Sequence, residues 1–426
     1  MPTFRAARGT RDVLPPESER YAAVESTAAD LAARYGYRRI DIPMFEQVGV
    51  FERGVGETTD VVEKELFRLA ARADEGETWA LRPEATASIV RAYVQHGLQT
   101  WPQPVRLSMI GPMFRYDRPQ AGRYRQFRQW DVEAIGDPGP AIDAEIVELA
   151  RRFFAALGLA VEIRLNSIGD GACRPAYVDA LRAHFGPHAD ALPPTERRRL
   201  DTNPLRLLDS KDPAMAALNA SAPRIADHLC EACAVHFAAV RAHLDALGVA
   251  YRIDPSLVRG LDYYTRTAFE CYPVGAEGQQ DAVGGGGRYD GLVELLGGRP
   301  TPGIGFALGI DRTVGALEAA GVAVGPEAAP LAIVVGADPA ATAVRLRLAT
   351  ELRAAGLPVR ADLASRKLGR QLEGAVRDGA RYAIIVGDEL ADGQVQLRDL
   401  GAASQKLVAV GDLVALLRRK AGAGGR

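Results

Sequence analysis

Cysteine is scarce in this chain, with four residues in 426, and no apolar run is long enough to span a bilayer. A disulfide framework needs cysteines at a higher density, so the sequence favours a reducing compartment. The N-terminal residues contain no apolar stretch of the kind found in a secretory signal. These absences predict a soluble protein of the cytoplasm.

A large excess of charge of either sign is also missing, because 52 basic and 54 acidic residues leave a formal net charge of −2. Proteins that coat nucleic acid are usually strongly basic, so any contact with RNA has to be local. The hydrophobic fraction of 47% supports a substantial core. The length predicts more than one domain.

The segment from Met113 to Gly136 predicts two strands joined by a loop, because residues 119–122 interrupt two segments rich in aromatic and polar residues. Since side chains alternate between the faces of a strand, the second arm separates polar groups from mostly apolar ones. One face holds Phe127, Gln129, Asp131 and Glu133, and the other holds Arg128, Trp130, Val132 and Ala134.

Residues 115–128 contain five arginines and one aspartate, which gives a local charge of +4. Many charge runs are solvated surface hairpins, but this one contains neither lysine nor glutamate. Arginine makes bidentate contacts with phosphate, and a neighbouring aromatic ring offers a stacking surface for a base. We therefore expect a nucleotide to bind here.

The same residues resemble the second signature motif of the class II aminoacyl-tRNA synthetases, which reads Phe-Arg-x-Glu, a loop, and then His/Arg-xxx-Phe-xxx-acid. The corresponding residues here are Phe114, Arg115, Asp117, Arg123, Phe127 and Asp131. Asp117 stands where the family usually has glutamate. The shorter carboxylate does not affect the match to the motif, but the resemblance does not define its exact contact.

A helix is predicted from about Ser18, with apolar residues at helical spacing, and Gly36 ends it. The following Tyr37–Pro43 alternates as a strand. A helix that leads to a strand ending at proline resembles the first class II motif, which forms the dimer interface. A homodimer is expected on that resemblance alone.

The stretch Arg82-Pro-Glu84-Ala-Thr86 allows two interpretations. If it is extended, its three polar side chains point the same way, and Pro83 places it at a strand edge or end. Alternatively, it opens a helix. The stretch is similar to one that recurs in histidyl-tRNA synthetases, where the acid and the hydroxyl hold the amino group of histidine, since an ammonium group needs such acceptors.

Residues 259–270, RGLDYYTRTAFE, closely resemble the motif that separates histidyl enzymes from other class II members. A tyrosine pair at the start of a strand is otherwise typical of a core. In the family, the arginine lies at the α-phosphate of ATP and supplies the charge that a metal supplies in relatives, and the tyrosine binds the imidazole. The resemblance assigns these roles to Arg259 and Tyr264, with Tyr263 adjacent.

Two glycine-rich blocks follow. Val283–Gly291 is not a P-loop, because no Gly-Lys-Ser/Thr follows it. It is either a flexible turn or backbone packed closely against a small ligand, and we favour the second interpretation. Gly303–Arg312 resembles the third class II motif, in which glycines leave room for the nucleotide and the arginine lies over adenine and reaches the γ-phosphate.

Residues from about 170 to 250 combine helical stretches with many charges and few strand signals, which predicts a helical insertion. The candidate ligands of a zinc site in it are Cys173, Cys230, Cys233, His228 and His236. Structural zinc requires four ligands with recognisable spacing. We favour the alternative in which the cysteines pack as small apolar residues, so no metal site is predicted.

A linker is predicted at residues 326–330, and strands and helices then alternate through residues 331–426, which indicates a small α/β domain. This part resembles the anticodon-binding domain of the class IIa synthetases. Between Arg366 and Arg381, five basic and two acidic residues give a charge of +3, which is compatible with RNA contact.

Taken together, the motifs resemble the histidyl-tRNA synthetase family over nearly the whole chain. The resemblance implies an α+β catalytic domain (residues 1–325), an antiparallel sheet of six to seven strands flanked by helices, with the helical insertion and then the anticodon-binding domain. It implies ATP-dependent ligation of histidine to tRNA(His) through a histidyl-adenylate, with ATP as substrate and Mg²⁺ as cofactor.

The resemblance also implies the site residues, with the catalytic pair Arg115 and Arg259 flanking the α-phosphate. The ATP-binding residues are Arg115, Arg123, Phe127 and Arg312. The histidine-binding residues are Glu84, Thr86, Gln129, Glu133, Arg259, Tyr263 and Tyr264, with Glu133 accepting the imidazole N–H. Because the family depends on an extra 5′ guanosine of its tRNA, the candidates for the acceptor end are Arg118, Gln120 and Arg123.

Two alternatives remain open on the sequence. Related chains serve as non-catalytic subunits of the first histidine-biosynthesis enzyme or as sensors of uncharged tRNA, but such chains typically lose the tail domain or the catalytic arginines. Another class IIa synthetase with a different amino-acid specificity would lack the stretch from Arg259 to Tyr264.

Overall fold

The computed structural model describes residues 4–56, 59–70, 78–117, 123–208, 210, 212–258, 261–275, 282–325, 329–336, 338–364 and 366–422. Three predicted site residues, Arg118, Gln120 and Arg259, lie outside this part, as do residues 326–328 of the predicted linker. The chain divides into two compact units, Met1–Gly325 and Pro326–Arg426. No helix in the described ranges combines the length and the apolar character needed to cross a membrane.

The first unit contains both helices and strands. Its helices are α1 (Glu17–Arg34), α2 (Val48–Val55), α3 (Thr86–Gln95), α4 (Pro140–Ala156), α5 (Arg174–Phe185), α6 (Pro194–Thr202), α7 (Ala216–Ala220), α8 (Glu231–Ala246), α9 (Leu292–Leu295) and α10 (Ile310–Ala319). Its strands are β1 (Arg38–Arg39), β2 (Phe45–Gln47), β3 (Trp79–Leu81), β4 (Val105–Phe114), β5 (Gln126–Ile135), β6 (Val161–Ser167), β7 (Arg252–Ile253), β8 (Thr265–Pro273), β9 (Gly284–Arg288) and β10 (Gly303–Gly309).

An eight-stranded sheet in the order β1-β4-β5-β10-β9-β8-β6-β7 forms the centre of this unit. The six central strands of this order, which are β4, β5, β10, β9, β8 and β6, pair antiparallel with their neighbours, as expected from the sequence. The two edge strands differ, because β1 pairs with β4 and β7 pairs with β6 in parallel. Parallel pairing needs a long crossover connection, and the segments between β1 and β4 and between β6 and β7 supply it.

The hairpin of β4 and β5 matches the sequence prediction, with Met113 opposite Phe127. Trp130, Val132 and Ala134 lie in the largest apolar core, which packs against α1 and α4 behind the sheet. Arg128 is the exception on this face, because it is partly exposed and pairs with Glu25 of α1 at 2.6 Å. Since the apolar face is used for the core, the opposite face of the sheet remains for a binding site.

A buried ion pair ties α4 to the sheet. Asp143 of α4 and Arg288 of β9 are both fully buried, and the Arg288 guanidinium donates to the Asp143 carboxylate. The Thr267 hydroxyl donates to the same carboxylate at 2.6 Å, and His236 of α8 bonds to it at 2.9 Å. The charge of Arg288 is therefore matched in a region from which water is excluded.

The predicted helical insertion has a small core of its own between β6 and β7. The described residues from Arg174 to Ala246 form the four helices α5 to α8 with short 3₁₀ turns and no strand. The buried members of its core are Tyr177, Leu181, Phe185, Leu192, Leu200, Leu207, Leu208, Met215 and Ile225.

The second unit is a five-stranded sheet with helices. Its elements are β11 (Ala332–Val335), α11 (Thr342–Ala354), β12 (Val359–Ala361), α12 (Leu368–Arg377), β13 (Tyr382–Ile385), β14 (Gln394–Asp399), β15 (Ser404–Ala409) and α13 (Leu413–Gly422). The strand order is β12-β11-β13-β14-β15, with the first three strands parallel and the last two antiparallel to their neighbours. The alternation of elements follows the prediction closely.

Candidate active site

A cavity of about 490 Å³ opens on the face of the sheet opposite the large core. Strands β5, β8, β9 and β10 form its floor, and the segments before α3 and before β8 form its walls. The predicted site residues that line it are Glu84, Thr86, Arg115, Arg123, Phe127, Gln129, Tyr263, Tyr264 and Arg312. Most of the residues singled out on the sequence therefore meet in one place.

The two arms of the hairpin bring Arg115 and Phe127 together. The Nε–H of Arg115 donates to the carbonyl of Pro83 at 2.9 Å, and its guanidinium carbon lies 5.4 Å from the centre of the Phe127 ring. Arg123 pairs with Asp117 at 3.0 Å. The aspartate that departs from the family pattern thus pairs with an arginine that lines the cavity.

The Glu84–Thr86 stretch opens a helix and also lines the cavity. Strand β3 ends at Leu81 and α3 begins at Thr86, so the extended interpretation of residues 82–86 is wrong. The carboxylate of Glu84 accepts the backbone N–H of Ala87 at 2.9 Å, because the first N–H groups of a helix lack partners within it. Arg82 donates instead to the carbonyls of three residues: Ile42, Pro43 and Pro112.

Glu133 lies beneath the cavity wall rather than on its surface. Its two carboxylate oxygens accept hydrogen bonds from the hydroxyls of Thr86, at 2.6 Å, and Tyr289. Burial raises its pKa from an ordinary 4.5 to about 8. A side chain at Gly305 of β10 would have its first carbon only 1.9 Å from the Glu133 carboxylate, so this glycine is what admits the acid.

Two further carboxyl groups, those of Glu84 and Asp131, lie near Glu133. Burial is the largest cause of the pKa shift of each. It raises the pKa of Glu84, and it raises the pKa of Asp131 well above its ordinary value with help from the charges of Glu133 and Glu84. The Oδ1 and Oδ2 atoms of Asp131 and the Oε1 atom of Gln129 have no hydrogen-bond partner among the described residues. Of these two residues Gln129 lines the cavity, so its amide oxygen is a buried acceptor for a ligand that carries N–H groups.

Three tyrosines form the wall beside these acids. The ring centres of Tyr263 and Tyr264 are 4.6 Å apart, and those of Tyr263 and Tyr289 are 5.9 Å apart. The hydroxyl of Tyr263 donates to Glu84 at 3.4 Å. The sequence pattern does not single out Tyr289, because it stands among the glycines of residues 283–291.

The two glycine blocks form neighbouring strands, so the flexible-turn interpretation of the first block is wrong. Gly284 and Gly285 of β9 line the cavity together with Gly309 at the end of β10. Arg312 follows in the first turn of α10, and its Nη1–H donates to the carbonyl of Ala282 at 2.6 Å.

The segment before α1 also reaches the hairpin, which the sequence did not indicate. The carbonyl of Gly9 accepts the N–H of Arg125 at 2.7 Å, and the Arg11 guanidinium carbon lies 4.8 Å from the centre of the Tyr124 ring. Arg11 pairs in turn with Glu17 of α1. The N-terminal segment thus supports the arm of the hairpin that carries Phe127.

The antiparallel sheet with its arginine-bearing hairpin, its glycine strand and the arginine of α10 defines the catalytic unit of a class II aminoacyl-tRNA synthetase. A family model described as histidyl-tRNA synthetase matches residues 9–171 and 176–313, and a model described as anticodon binding domain matches residues 329–420. The chain belongs to the histidyl-tRNA synthetase family.

Individual relatives agree with this assignment. The histidine–tRNA ligase of Desulforudis audaxviator is 48% identical over 97% of this chain and 98% of its own. The apo histidyl-tRNA synthetase of S. aureus is 35% identical, with a TM-score of 0.82 over 97% of this chain and all of the other.

A third structure has a mixed description, an ATP phosphoribosyltransferase regulatory subunit/histidyl-tRNA synthetase from Bacillus halodurans. It is 24% identical, with a TM-score of 0.62 over 85% of this chain and 93% of the other. At this identity the likeness shows the fold alone.

Proposed function

We propose that this chain ligates L-histidine to tRNA(His) in two steps, through a histidyl-adenylate. The carboxylate of histidine attacks the α-phosphorus of ATP and releases pyrophosphate, and the terminal adenosine hydroxyl of the tRNA then attacks the activated carbonyl. The observation that carries the proposal is a cavity in which arginines suited to phosphate meet buried acceptors suited to an amino acid.

The nucleotide end of the cavity suits ATP. Phe127 offers a ring face for adenine, and Arg115 beside it places positive charge at the α-phosphate, where phosphoryl transfer needs charge stabilisation. Arg312 binds the γ-phosphate from the start of α10. The resemblance implies that Arg259 also acts at the α-phosphate. Arg123, which lines the cavity, is proposed with Arg118 and Gln120 to contact the acceptor end of tRNA.

The histidine end of the cavity suits an ammonium group and an imidazole. Because the Thr86 hydroxyl donates its hydrogen to Glu133, its lone pairs remain for the ammonium of the substrate, which Glu84 and Gln129 also accept. The imidazole contacts Tyr264. Because Glu133 lies beneath the cavity wall, the imidazole N–H donates to it by replacing the hydroxyl of Tyr289. A site built around these hydrogen bonds discriminates against amino acids that lack the imidazole N–H.

Magnesium fits the donor set at the nucleotide end, because carboxylate oxygens are the protein ligands it prefers. Glu270 of β8 lines the cavity opposite Gly285 and is the carboxylate we propose to hold the ion. An ion held there would supply positive charge to the phosphates of bound ATP, while the side chains of the chain orient the two substrates.

The remaining partners follow from the family. The second unit, which the anticodon-binding model matches, is proposed to bind the anticodon stem of tRNA(His). The proposed location of the protein is the cytoplasm. A homodimer is proposed as well. Dimerisation is supported by the exposed apolar side chains of Met44, Phe45 and Leu69 around the small sheet of β2 and β3. Light scattering of the purified protein tests it, because a homodimer has twice the mass of the chain.

The regulatory alternative is disfavoured by the cavity itself. A non-catalytic relative has no need of phosphate-binding arginines, yet Arg115 and Arg312 both line the cavity here. The second unit is also present. Both features are the ones that such relatives typically lose.

Histidine-dependent exchange of pyrophosphate into ATP tests the activity, run in parallel with the other amino acids. Exchange with histidine alone is expected, followed by charging of tRNA(His). Arg312→Ala is expected to lower exchange by about 100-fold or more, because a phosphate loses its charged partner, whereas Arg152→Ala on the exposed face of α4 leaves it unchanged. A folded wild-type protein without exchange would favour the regulatory alternative.

A further inference from the structure

Three of the four cysteines converge on one carboxylate at the base of the helical insertion. The ligand atoms of Asp170, Cys173, Cys230 and Cys233 all lie within 4.8 Å of one another. We propose that this tetrad is a structural zinc site, bound by three thiolates and one carboxylate. The sequence offered His228 or His236 as the fourth ligand, but His236 bonds to Asp143 and His228 packs on the ring of Tyr177.

The distances suit a tetrahedral ion. The Sγ of Cys173 lies 3.5 Å from Oδ1 of Asp170, and the Sγ of Cys230 lies 3.9 Å from the same oxygen. Zinc bonds of about 2.3 Å to sulfur and about 2.1 Å to oxygen place tetrahedral ligands roughly 3.5–3.8 Å apart. The tetrad therefore needs only small adjustments to close around the ion.

The spacing is that of two metal knuckles, Asp170-x-x-Cys173 and Cys230-x-x-Cys233. The first lies in the turn between β6 and α5. Gly169 permits this turn, because it has φ of +63° and a Cβ there would meet that of Cys173 at 2.8 Å. The second knuckle begins at the residue that caps α8, where the helix N-terminus favours a thiolate.

Surrounding groups already orient the ligands. The backbone N–H of Cys230 donates to the Sγ of Cys173 at 3.0 Å, and Arg266 pairs with Oδ2 of Asp170 at 3.3 Å. Partners of this kind fix ligands in metal sites. Asp170 and Cys230 are partly exposed, which gives an ion a route of entry.

Simple packing does not account for the arrangement. Cys271 belongs to the large apolar core behind the sheet, whereas none of the three clustered cysteines is a member of an apolar cluster in the described residues. Soft thiolate ligands select zinc over magnesium or calcium. Zinc binding displaces three thiol protons to solvent and involves no oxidation or reduction.

The site would join the start of the insertion to its last helix and to the proposed histidine pocket. Cys173 lies just before α5 and Cys230 just before α8, and the turn before Cys173 exchanges backbone hydrogen bonds with Arg266 at 2.7 Å. Arg174, the next residue, donates to the carbonyl of Tyr264. A bound ion would thus fix the backbone next to a residue proposed to contact the imidazole.

Metal analysis of the full-length protein tests the proposal. About one zinc per chain is expected by elemental mass spectrometry. Replacement by cobalt should give thiolate-to-cobalt charge-transfer absorption and the strong visible bands of a tetrahedral ion. Cys233→Ala should lose the metal, Asp170→Cys should keep it with stronger charge-transfer absorption, and the matched control Cys271→Ala should keep it unchanged.

Thiol labelling of the wild-type protein keeps the test independent of variant folding. Cys173, Cys230 and Cys233 should resist alkylation until a chelator is added, with Cys271 unaffected by the chelator. A purified protein without metal that takes up neither zinc nor cobalt would overturn the proposal, as would a disulfide within the tetrad of the reduced, freshly isolated protein. Retention of stoichiometric zinc by Cys233→Ala would overturn it too.

Discussion

Buried acids set the chemistry of the site at the scale of single residues. Glu84, Asp131 and Glu133 are all nearly inaccessible to solvent, and burial raises the pKa of each. Without a ligand, protons or hydroxyl donors stabilise these groups. In the proposed complex, the ammonium and the imidazole N–H of histidine replace the protons of these carboxyl groups as the donors to this layer.

Replacement of Glu133 by glutamine should weaken histidine activation selectively. The amide cannot accept hydrogen bonds on both of its terminal atoms, so the imidazole N–H loses its acceptor. We expect kcat/KM for histidine in pyrophosphate exchange to fall by about 10- to 100-fold, with KM for ATP unchanged. An equal loss for ATP would show that Glu133 does not belong to the histidine end.

The same variant should change how stability depends on pH. The pKa of Glu133 is raised to about 8, so the folded protein holds this proton while the unfolded chain has released it. Glu133 therefore lowers stability progressively as pH rises from about 4.5 to about 8. In urea titrations, Glu133→Gln should lose less stability than the wild type across this window, and parallel curves would contradict the assignment.

At the scale of elements, the glycine strand β9 depends on contacts that connect distant parts of the chain. Arg288 at its end pairs with Asp143 of α4, which also contacts His236 of α8. Burial alone would raise the pKa of Asp143, but the hydrogen bond with His236 and the charge of Arg288 lower it below its ordinary value. The pair therefore holds three elements in one arrangement.

Asp143→Asn should destabilise the first unit substantially. Loss of the carboxylate leaves the buried Arg288 with the partly exposed Asp290 as its remaining ion-pair partner in the described residues, and breaking a buried pair in this way costs up to about 3–5 kcal/mol. Glu318→Gln is the control, because the Arg20–Glu318 pair is exposed and such pairs contribute less than about 1 kcal/mol. Chemical denaturation followed by circular dichroism compares the free energies of unfolding of the two variants. Similar losses of stability in both would contradict a special role for the buried pair.

Acidification provides a second check on this pair. Since the folded pKa of Asp143 is depressed, its contribution to stability is present above the unfolded pKa and is lost as pH falls toward the folded pKa. Asp143→Asn should therefore lose less stability than the wild type on acidification below about pH 4.

The sequence predicted the elements better than the contacts between them. Alternation and helical spacing located β5, α1 and the elements of the second unit, because those patterns depend on a single buried face. Tyr289 was missed because its partner Glu133 is distant in sequence. Asp170 was missed although it lies three residues before Cys173, because the histidines were the expected partners of the cysteines. The Glu84 stretch was ambiguous, since a helix start and a cavity wall use the same oxygen acceptors.

At the scale of the whole molecule, each unit contains its own apolar core. The two large clusters of the first unit draw only on residues before Gly325, and those of the second unit draw only on residues from Leu331 onward. Residues that line the cavity all belong to the first unit. Amino-acid activation and tRNA recognition are therefore separable in principle.

A chain that ends at Gly325 should retain activation and lose tRNA charging. Because the cavity and its supporting cores remain, histidine-dependent pyrophosphate exchange should stay within about threefold of the full chain. Because the unit matched by the anticodon-binding model is removed, kcat/KM for tRNA(His) should fall by about 100-fold or more, as expected when several phosphate or base contacts are lost together. In the full chain, the double substitution Arg370→Ala and Arg377→Ala on α12 should weaken tRNA charging less than the truncation does. It should also reduce the dependence of charging on salt concentration. Loss of exchange from a folded, truncated chain would show instead that the second unit supports the activation site.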